Sequence, residues 1–137
     1  MKLTTKGKFA VTALLDIAIY SEDNKKPITL YNISDRQNIS LSYLEQLFVK
    51  LRKSGVVKSY KGPGGGYLLM REVDKIDISE IIKAVDEDMD ARSCRGNKNC
   101  RDNRKCLTHD LWAGLTNEMY GYLERITIKD LLDKAET

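Results

Sequence analysis

Apolar side chains in the first third of the chain recur at the spacing of short amphipathic helices. The first such stripe runs from Phe9 to Ala18, and Thr4 or Thr5 can cap the helix that carries it. After a polar segment that contains a proline, Thr29 can cap a second, shorter helix. We expect that helix to end at Asn38, because asparagine tolerates the left-handed backbone at which helices stop.

A third helix is predicted directly after the second. Ser40 or Ser42 can cap it, and Glu45 lies three residues after Ser42, as in a capping box. Gly55 is expected to end it. Its buried stripe is formed by Leu44, Leu47, Phe48 and Leu51. Two short helices joined by a tight turn, the second with a polar outer face, indicate a helix-turn-helix.

The next segment predicts a β-hairpin. Two β-prone runs, Val56–Tyr60 and Tyr67–Met70, flank the turn sequence KGPGGG. A hairpin that follows a helix-turn-helix is a wing. The glycine run does not match a nucleotide-binding loop, because it lacks the Gly-Lys-Ser/Thr ending and Tyr67 stands where the last glycine of a dinucleotide motif is required.

The second half of the chain predicts more helix around one segment without periodicity. Ser79 can cap a short helix, whereas residues 91–105 show neither helical nor strand spacing. A long amphipathic helix follows from Leu111 to Ile126, and Thr127 with Asp130 can cap a last short one. The predicted fold class is therefore mainly α: a winged helix-turn-helix with a two-stranded wing, followed by a long C-terminal helix.

Length and composition fit one compact unit with two functional parts. The chain has 137 residues, of which 42% are hydrophobic and 31% charged, enough to bury a core. We expect a DNA-binding part at residues 1–75 and a second part at residues 76–137. No apolar run approaches the ~18 residues of a membrane span, and charged residues interrupt the N-terminal pattern that a signal peptide would need. We therefore expect a cytoplasmic protein with no membrane partner.

The net charge of +3 conceals an asymmetry. Residues 1–71 hold twelve Lys and Arg against five Asp and Glu, a net +7, whereas residues 72–137 hold eleven against fifteen, a net −4. A basic domain of this kind is attracted to polyanions, of which nucleic acid is the commonest. A membrane surface, or a solvated face with no partner, would also be compatible with charge alone.

The polar face of the third helix carries side chains suited to double-stranded DNA. Gln46 can bond an adenine edge and Glu45 can accept from cytosine, while lysines near the C-terminal end can reach phosphates. Lys61 is placed at the wing tip, where it can reach the backbone or the minor groove. The ordinary alternative is a solvated helix beside a loose hairpin. The candidate DNA-binding residues are Ser42, Tyr43, Glu45, Gln46, Lys50, Lys53, Lys61 and Gly62.

All three cysteines and the single histidine fall within sixteen consecutive positions. Cys94, Cys100 and Cys106 have five residues between neighbours, and His109 follows after two more. An odd cysteine count in a cytoplasmic chain argues against a disulfide framework. Three thiolates and an imidazole supply four ligands, which suits a tetrahedral zinc ion or an iron-sulfur cluster.

Two other interpretations use the same cysteines without a metal. Basic residues between the cysteines would lower the pKa of the thiols, as in a redox switch. A cysteine nucleophile with His109 as its base would make the chain a small enzyme, but nothing nearby in the sequence supplies an orienting partner. We therefore expect that the chain is not an enzyme.

With these residues in view, the sequence closely resembles the Rrf2 family of bacterial winged-helix transcription regulators, and within it those that respond to iron-sulfur clusters. The most specific stretches are KLTTKGKFAVTALLD near the start, ISLSYLEQLF from Ile39, KGPGGGYLL from Lys61, AVDE from Ala84 and CLTH from Cys106. The resemblance covers nearly the whole chain.

The resemblance implies a function and a ligand set. Its members of this kind hold a two-iron two-sulfur (2Fe-2S) cluster with the residues that match Cys94, Cys100, Cys106 and His109. They form homodimers through the helix that matches Leu111–Ile126, and they control cluster-assembly genes. In such a dimer, two recognition helices about one DNA turn apart, roughly 34 Å, would read a near-palindromic operator. One departure is Lys61, which stands where such wings usually carry arginine, so the resemblance implies a weaker minor-groove contact there.

Overall fold

The computed structural model describes residues 5–85 and 107–135. Within these ranges the order of elements confirms the predicted mainly helical winged helix-turn-helix. A 3-10 turn at Val73–Lys75 leads from the wing into the second half of the chain. The elements are α1 (Thr5–Tyr20), α2 (Leu30–Gln37), α3 (Leu41–Lys53), β1 (Val57–Tyr60), β2 (Gly66–Leu69), α4 (Ile78–Ala84), α5 (His109–Glu124) and α6 (Ile128–Ala135).

The ends of the helix-turn-helix follow the sequence closely. The Thr29 side chain accepts from the Asn32 N–H at 3.0 Å, and Asn38 ends α2 in the left-handed conformation. Ser40, one of the two predicted caps, accepts weakly from an N–H of the first turn of α3, at 3.4 Å. The capping box of Ser42 and Glu45 is wrong, because the helix has already begun at Leu41 and Ser42 lies inside it.

Of the two cap predictions for the later helices, one is wrong and one is confirmed. Asp77, and not Ser79, caps α4: its carboxylate accepts from the Glu80 N–H at 2.9 Å and from the Ser79 hydroxyl. At α6, Thr127 and Asp130 cap each other reciprocally, with N–H to side-chain distances of 3.0 and 3.2 Å, which confirms the predicted capping pair.

The core is centred on the buried face of α1. Its inward residues are fully buried, and α1 contacts α2, α4, α6 and strand β2 of the wing. Burying one Leu, Ile or Phe side chain of this kind contributes roughly 1.5–3 kcal/mol. The side chains of α1–α4 with no measurable exposure include Ala10, Ala13, Leu14, Ile17, Ile33, Leu44, Phe48, Leu51 and Ile81.

The C-terminal helices share this core and do not form a separate one. Met119, Tyr120 and Leu123 of α5 pack against it, and Ile128 of α6 is fully buried. Two backbone hydrogen bonds tie the connection between α5 and α6 to the start of α4: Ile78 N–H to Ile126 O at 2.9 Å, and Ile128 N–H to Ile76 O at 3.1 Å.

The segment between α1 and α2 adds a partial third strand to the wing. Ile28 and Tyr67 exchange backbone hydrogen bonds of 2.8 and 3.0 Å. The Asn24 side chain donates to the Leu69 carbonyl and accepts from the Leu69 N–H, both at 2.9 Å. Gly66 approaches Ile28 so closely that a Cβ there would lie 2.5 Å from the Ile28 carbonyl oxygen. The wing is therefore anchored on its β2 side.

The same segment contains a left-handed turn without glycine. Glu22, Asp23 and Asn24 have φ angles of 51°, 60° and 62°. The turn is closed by hydrogen bonds from the Lys25 and Lys26 N–H groups to the Ser21 carbonyl, both 2.8 Å long. Left-handed backbone costs a non-glycine residue roughly 1–2 kcal/mol. The anchor that Asn24 makes on β2 is thus held by a strained turn.

A buried ion pair joins α1 to α2. The Asp16 carboxylate has no exposed surface and accepts from Arg36 Nη2 at 2.6 Å, from Arg36 Nε at 2.9 Å and from Gln37 Nε2 at 2.9 Å. The guanidinium also lies 4.1 Å from the centre of the Tyr20 ring. Hydrogen bonding from Arg36 to Asp16 raises the pKa of Arg36 above its usual value, so the guanidinium remains charged.

Candidate nucleic-acid interface and metal ligands

One side of α3 faces solvent and holds most of the predicted DNA-binding residues. Ser42, Glu45, Gln46 and Lys53 are exposed, and they lie opposite the buried stripe. Because that stripe is locked into the core, the polar face is presented in a fixed orientation. The first turn of the helix follows the short connection from α2, as a recognition helix does.

Two predicted contacts are less accessible than the sequence suggested. Tyr43 is half-buried, with its ring edge-on to Phe9 at a centroid distance of 5.6 Å, so α1 supports the start of α3. Lys50 is also half-buried. The exposed Ser40 hydroxyl, 3.2 Å from that of Ser42, adds a polar group at this end that the sequence analysis did not assign to DNA.

The wing presents the predicted cation at its tip. Lys61 and Gly62 are both exposed, and Gly62 has a φ of +88°, which confirms that the turn needs glycine's conformational freedom. On β1, the Lys58 ammonium lies 5.0 Å from the centre of the exposed Tyr60 ring. Lys58 is not among the predicted DNA-binding residues, so it adds a second cation to the wing.

The structure describes one of the four predicted metal ligands. His109 is the first residue of α5 and is only 3% exposed, although its neighbours Leu107 and Thr108 are exposed. Cys94, Cys100 and Cys106 lie outside the described residues. Among residues 5–85 and 107–135, no three His, Cys, Asp or Glu side chains gather as metal ligands do.

The solvent-facing side of α5 carries large apolar side chains among its polar ones. Leu111 is 61% exposed and Tyr122 is 59% exposed, and Trp112 also faces solvent in part. Exposed apolar patches are typical of surfaces that bind another molecule. No helix in the described part of the chain is long and apolar enough to cross a membrane.

The profile of the Rrf2 family, described as an iron-dependent transcriptional regulator, matches residues 3–134. The chain belongs to the Rrf2 family. Among curated members, it is 52% identical over 136 residues to the HTH-type transcriptional regulators IscR of Cronobacter sakazakii and of Escherichia coli O1:K1. Each alignment covers 99% of this chain and 83% of the relative.

Solved structures of Rrf2 proteins have the same fold. IscR of T. potens superposes with a TM-score of 0.77 at 32% identity, over 98% of this chain and 88% of that one. CymR of B. subtilis, titled the global cysteine regulator, superposes with a TM-score of 0.79 at 28% identity, over 98% of both chains. These relatives are regulators and not enzymes. This Rrf2 chain is accordingly a DNA-binding transcription regulator.

Proposed function

We propose that this Rrf2 regulator acts in the cytoplasm as a homodimer that reads a near-palindromic operator through α3. We further propose that Cys94, Cys100, Cys106 and His109 hold a 2Fe-2S cluster, and that cluster-assembly genes are its targets. The observation that carries the proposal is the exposed polar face of α3, fixed on a core that α5 shares.

In this proposal the start of α3 enters the major groove. Glu45 and Gln46 are exposed at consecutive positions of α3 and face base edges. Glu45 can read a base edge as an acceptor and Gln46 as a bidentate partner. Lys53 at the end of α3 and Lys61 at the wing tip both follow these readers in the chain, and they contact phosphates or the minor groove. Ser42 and Tyr43 start the helix and can bond either phosphate or base.

The solvent-facing side of α5 is proposed to pair with the same side of a second copy. Leu111 and Tyr122 would then be buried in a symmetric interface, as expected for a twofold dimer. Such a dimer places two α3 helices at successive major grooves, roughly 34 Å apart, and so favours a near-palindrome. Residues 1–75 would contact DNA, while residues 76–137 would form the interface and the cofactor site.

The donor set fits an iron-sulfur cluster. Three thiolates and one imidazole satisfy four coordination positions, and His109, only 3% exposed, would keep such a centre partly shielded from solvent. When bound, a 2Fe-2S cluster supplies a centre that is sensitive to oxygen and to iron supply, so its occupancy can report the state of the cell.

Packed helices connect His109 to the recognition helix. His109 begins α5, and α5 packs on α4, where Lys83 lies 4.9 Å from the Tyr120 ring and 3.8 Å from Glu124. In turn α4 packs on α1 and α3. A change in how His109 is held would therefore act on α3 through contacts between rigid helices.

Purification without oxygen tests the cofactor proposal. We expect visible absorption and two iron and two sulfide per chain for the wild-type protein, and loss of both in His109→Ala. The variant Asn117→Ala, an exposed polar residue on the same helix about a third of a turn from Leu111 and Tyr122, is the control and should retain the cluster. A colourless protein with stoichiometric zinc would show that the site holds structural zinc and not a cluster. A metal-free protein that forms disulfides would indicate a thiol-based oxidant sensor instead.

Selection of binding sites from random DNA tests the α3 assignment. Glu45→Ala and Gln46→Ala should change the selected sequence, since each lost base contact is worth about 1–3 kcal/mol. Lys53→Ala should weaken binding to all sequences and reduce the salt slope by about 1.8 per dimer, or 0.9 for each lost phosphate contact. Lys75→Ala, which removes an exposed lysine from the 3-10 turn beside α6, should leave the slope unchanged. An unchanged motif in both Glu45→Ala and Gln46→Ala would reject α3 as the reader.

A further inference from the structure

An apolar side chain lies in the middle of the polar face of α3. Val49 is 44% exposed, and it is absent from the residues that pack against the core. It follows Ser42 by seven residues, Glu45 by four and Gln46 by three, so all four lie on one side of the helix. Val49 is thus the apolar member of an otherwise polar row.

The spacing of this row suits base contact along its whole length. Homeodomain recognition helices present four base-contacting residues at the same offsets of zero, three, four and seven. At 1.5 Å per residue, Val49 lies about 10.5 Å along the helix from Ser42, and the major groove is about 12 Å wide. A helix lying in the groove can therefore bring both ends of the row over base pairs.

The chemistry of Val49 selects one feature of the groove. The only apolar group that a base pair displays in the major groove is the C5-methyl of thymine, and apolar side chains recognise it by contact. We propose that Val49 is a specificity-determining residue that packs against a thymine methyl in each half-site. The proposal rests on α3 being the reading helix and adds to that assignment a base preference which Glu45 and Gln46 cannot supply.

The shape of valine supports a selective contact. A β-branched side chain in a helix has one strongly preferred rotamer, so Val49 holds its two methyl groups in a fixed direction and loses little freedom on binding. Burying one methyl group of DNA against it improves affinity roughly fourfold, by the usual value for a buried CH₂-sized group. With two half-sites, the combined effect is about fifteenfold.

Uracil substitution tests the contact directly, because deoxyuridine differs from thymidine only by the missing methyl. Binding sites are first selected from random DNA with the full-length wild-type protein, and each thymine is then replaced singly by uracil. We expect one thymine per half-site whose replacement weakens wild-type binding about fourfold. The same replacement should have no effect on Val49→Ser, whereas Val49→Ile should retain the sensitivity.

Folding and the parent assignment are controlled separately. Thermal unfolding of Val49→Ser should match that of the wild type, since the residue lies outside the core. Equal uracil sensitivity in wild type and Val49→Ser, or no sensitive thymine at all, would overturn the proposal for Val49. If Glu45→Ala and Gln46→Ala also left the selected motif unchanged, the assignment of α3 as the reading helix would be wrong. If those two variants did change the motif, only the assignment of Val49 would be wrong.

Discussion

Replacing Arg36 by leucine is expected to destabilise the domain strongly, although Arg36 itself is partly exposed. The leucine retains apolar contact with the Tyr20 ring but removes two of the three hydrogen bonds that Asp16 accepts. The carboxylate has no exposed surface, so it is left buried with the neutral amide of Gln37 as a partner. The cost thus arises mainly at Asp16 and not at the substituted position.

The size of the stability loss depends on whether the remaining member of the ion pair can reach water. Removing one member of a buried ion pair costs about 3–5 kcal/mol. The Arg36 side chain is 29% exposed, so water can approach once it is removed, and we expect the lower end of that range, about 3 kcal/mol. In Asp16→Leu the guanidinium can turn to solvent, and a loss of about 1–2 kcal/mol is expected.

Urea unfolding at pH 7, followed by circular dichroism, measures these differences. The decisive protein is Asp16→Leu/Arg36→Leu, which contains neither charge. It should be more stable than Arg36→Leu alone, by about 1–2 kcal/mol, because the stranded carboxylate is gone. If the double variant were no more stable than Arg36→Leu, the burial of an unpaired charge would not be the source of the loss.

Three further predictions concern the wing and its anchor. Gly66→Ala should lose more than about 1 kcal/mol of stability, measured by thermal unfolding, because its Cβ would press on the Ile28 carbonyl at a φ of +147°. Asn24→Ala should lose about 1–2 kcal/mol with its two hydrogen bonds and, by loosening the wing, should reduce the effect of Lys61→Ala on DNA affinity in a double-mutant cycle; equal effects in both backgrounds would refute this. Glu22→Gly should raise the free energy of unfolding by about 0.5–1 kcal/mol, as it relieves left-handed strain, and a lower melting temperature would contradict that reasoning.

The parts of the fold that could be predicted are those decided by neighbours in sequence. The αL end of α2 at Asn38 depends on one residue's own backbone preference, and the reciprocal caps at Thr127 and Asp130 on two residues three apart. Where two residues near a helix start can both serve as its cap, the local pattern does not decide between them. The sequence therefore predicts Ser79 as the cap of α4, whereas Asp77 is the cap in the structure.

Contacts between distant segments could not be predicted in this way. Asp16 lies on α1 where a polar residue would ordinarily face solvent, and its burial depends on Arg36, twenty residues later. The left-handed turn at Glu22–Asn24 contains no glycine from which it could be predicted. It is held by the contacts of Asn24 with Leu69 of β2, forty-five residues away. For the candidate site, the sequence predicted that Glu45 and Gln46 lie on the exposed face of α3, whereas the half-buried positions of Tyr43 and Lys50 follow only from packing.

Because hydrogen bonds hold the chain just after the C-terminal end of α5, a rotation about that end displaces the opposite end of the helix. Its C-terminal end is pinned by the backbone hydrogen bonds of Ile126 and Ile128, while its other end begins at His109. Sixteen residues span about 24 Å, so a rotation of only 5° about the pinned end moves the His109 end by about 2 Å. Conversely, a displacement of that size at His109 turns the helix by only a few degrees where it meets α4. A displacement at the His109 end is thereby reduced to an angular adjustment that a close-packed core can accept.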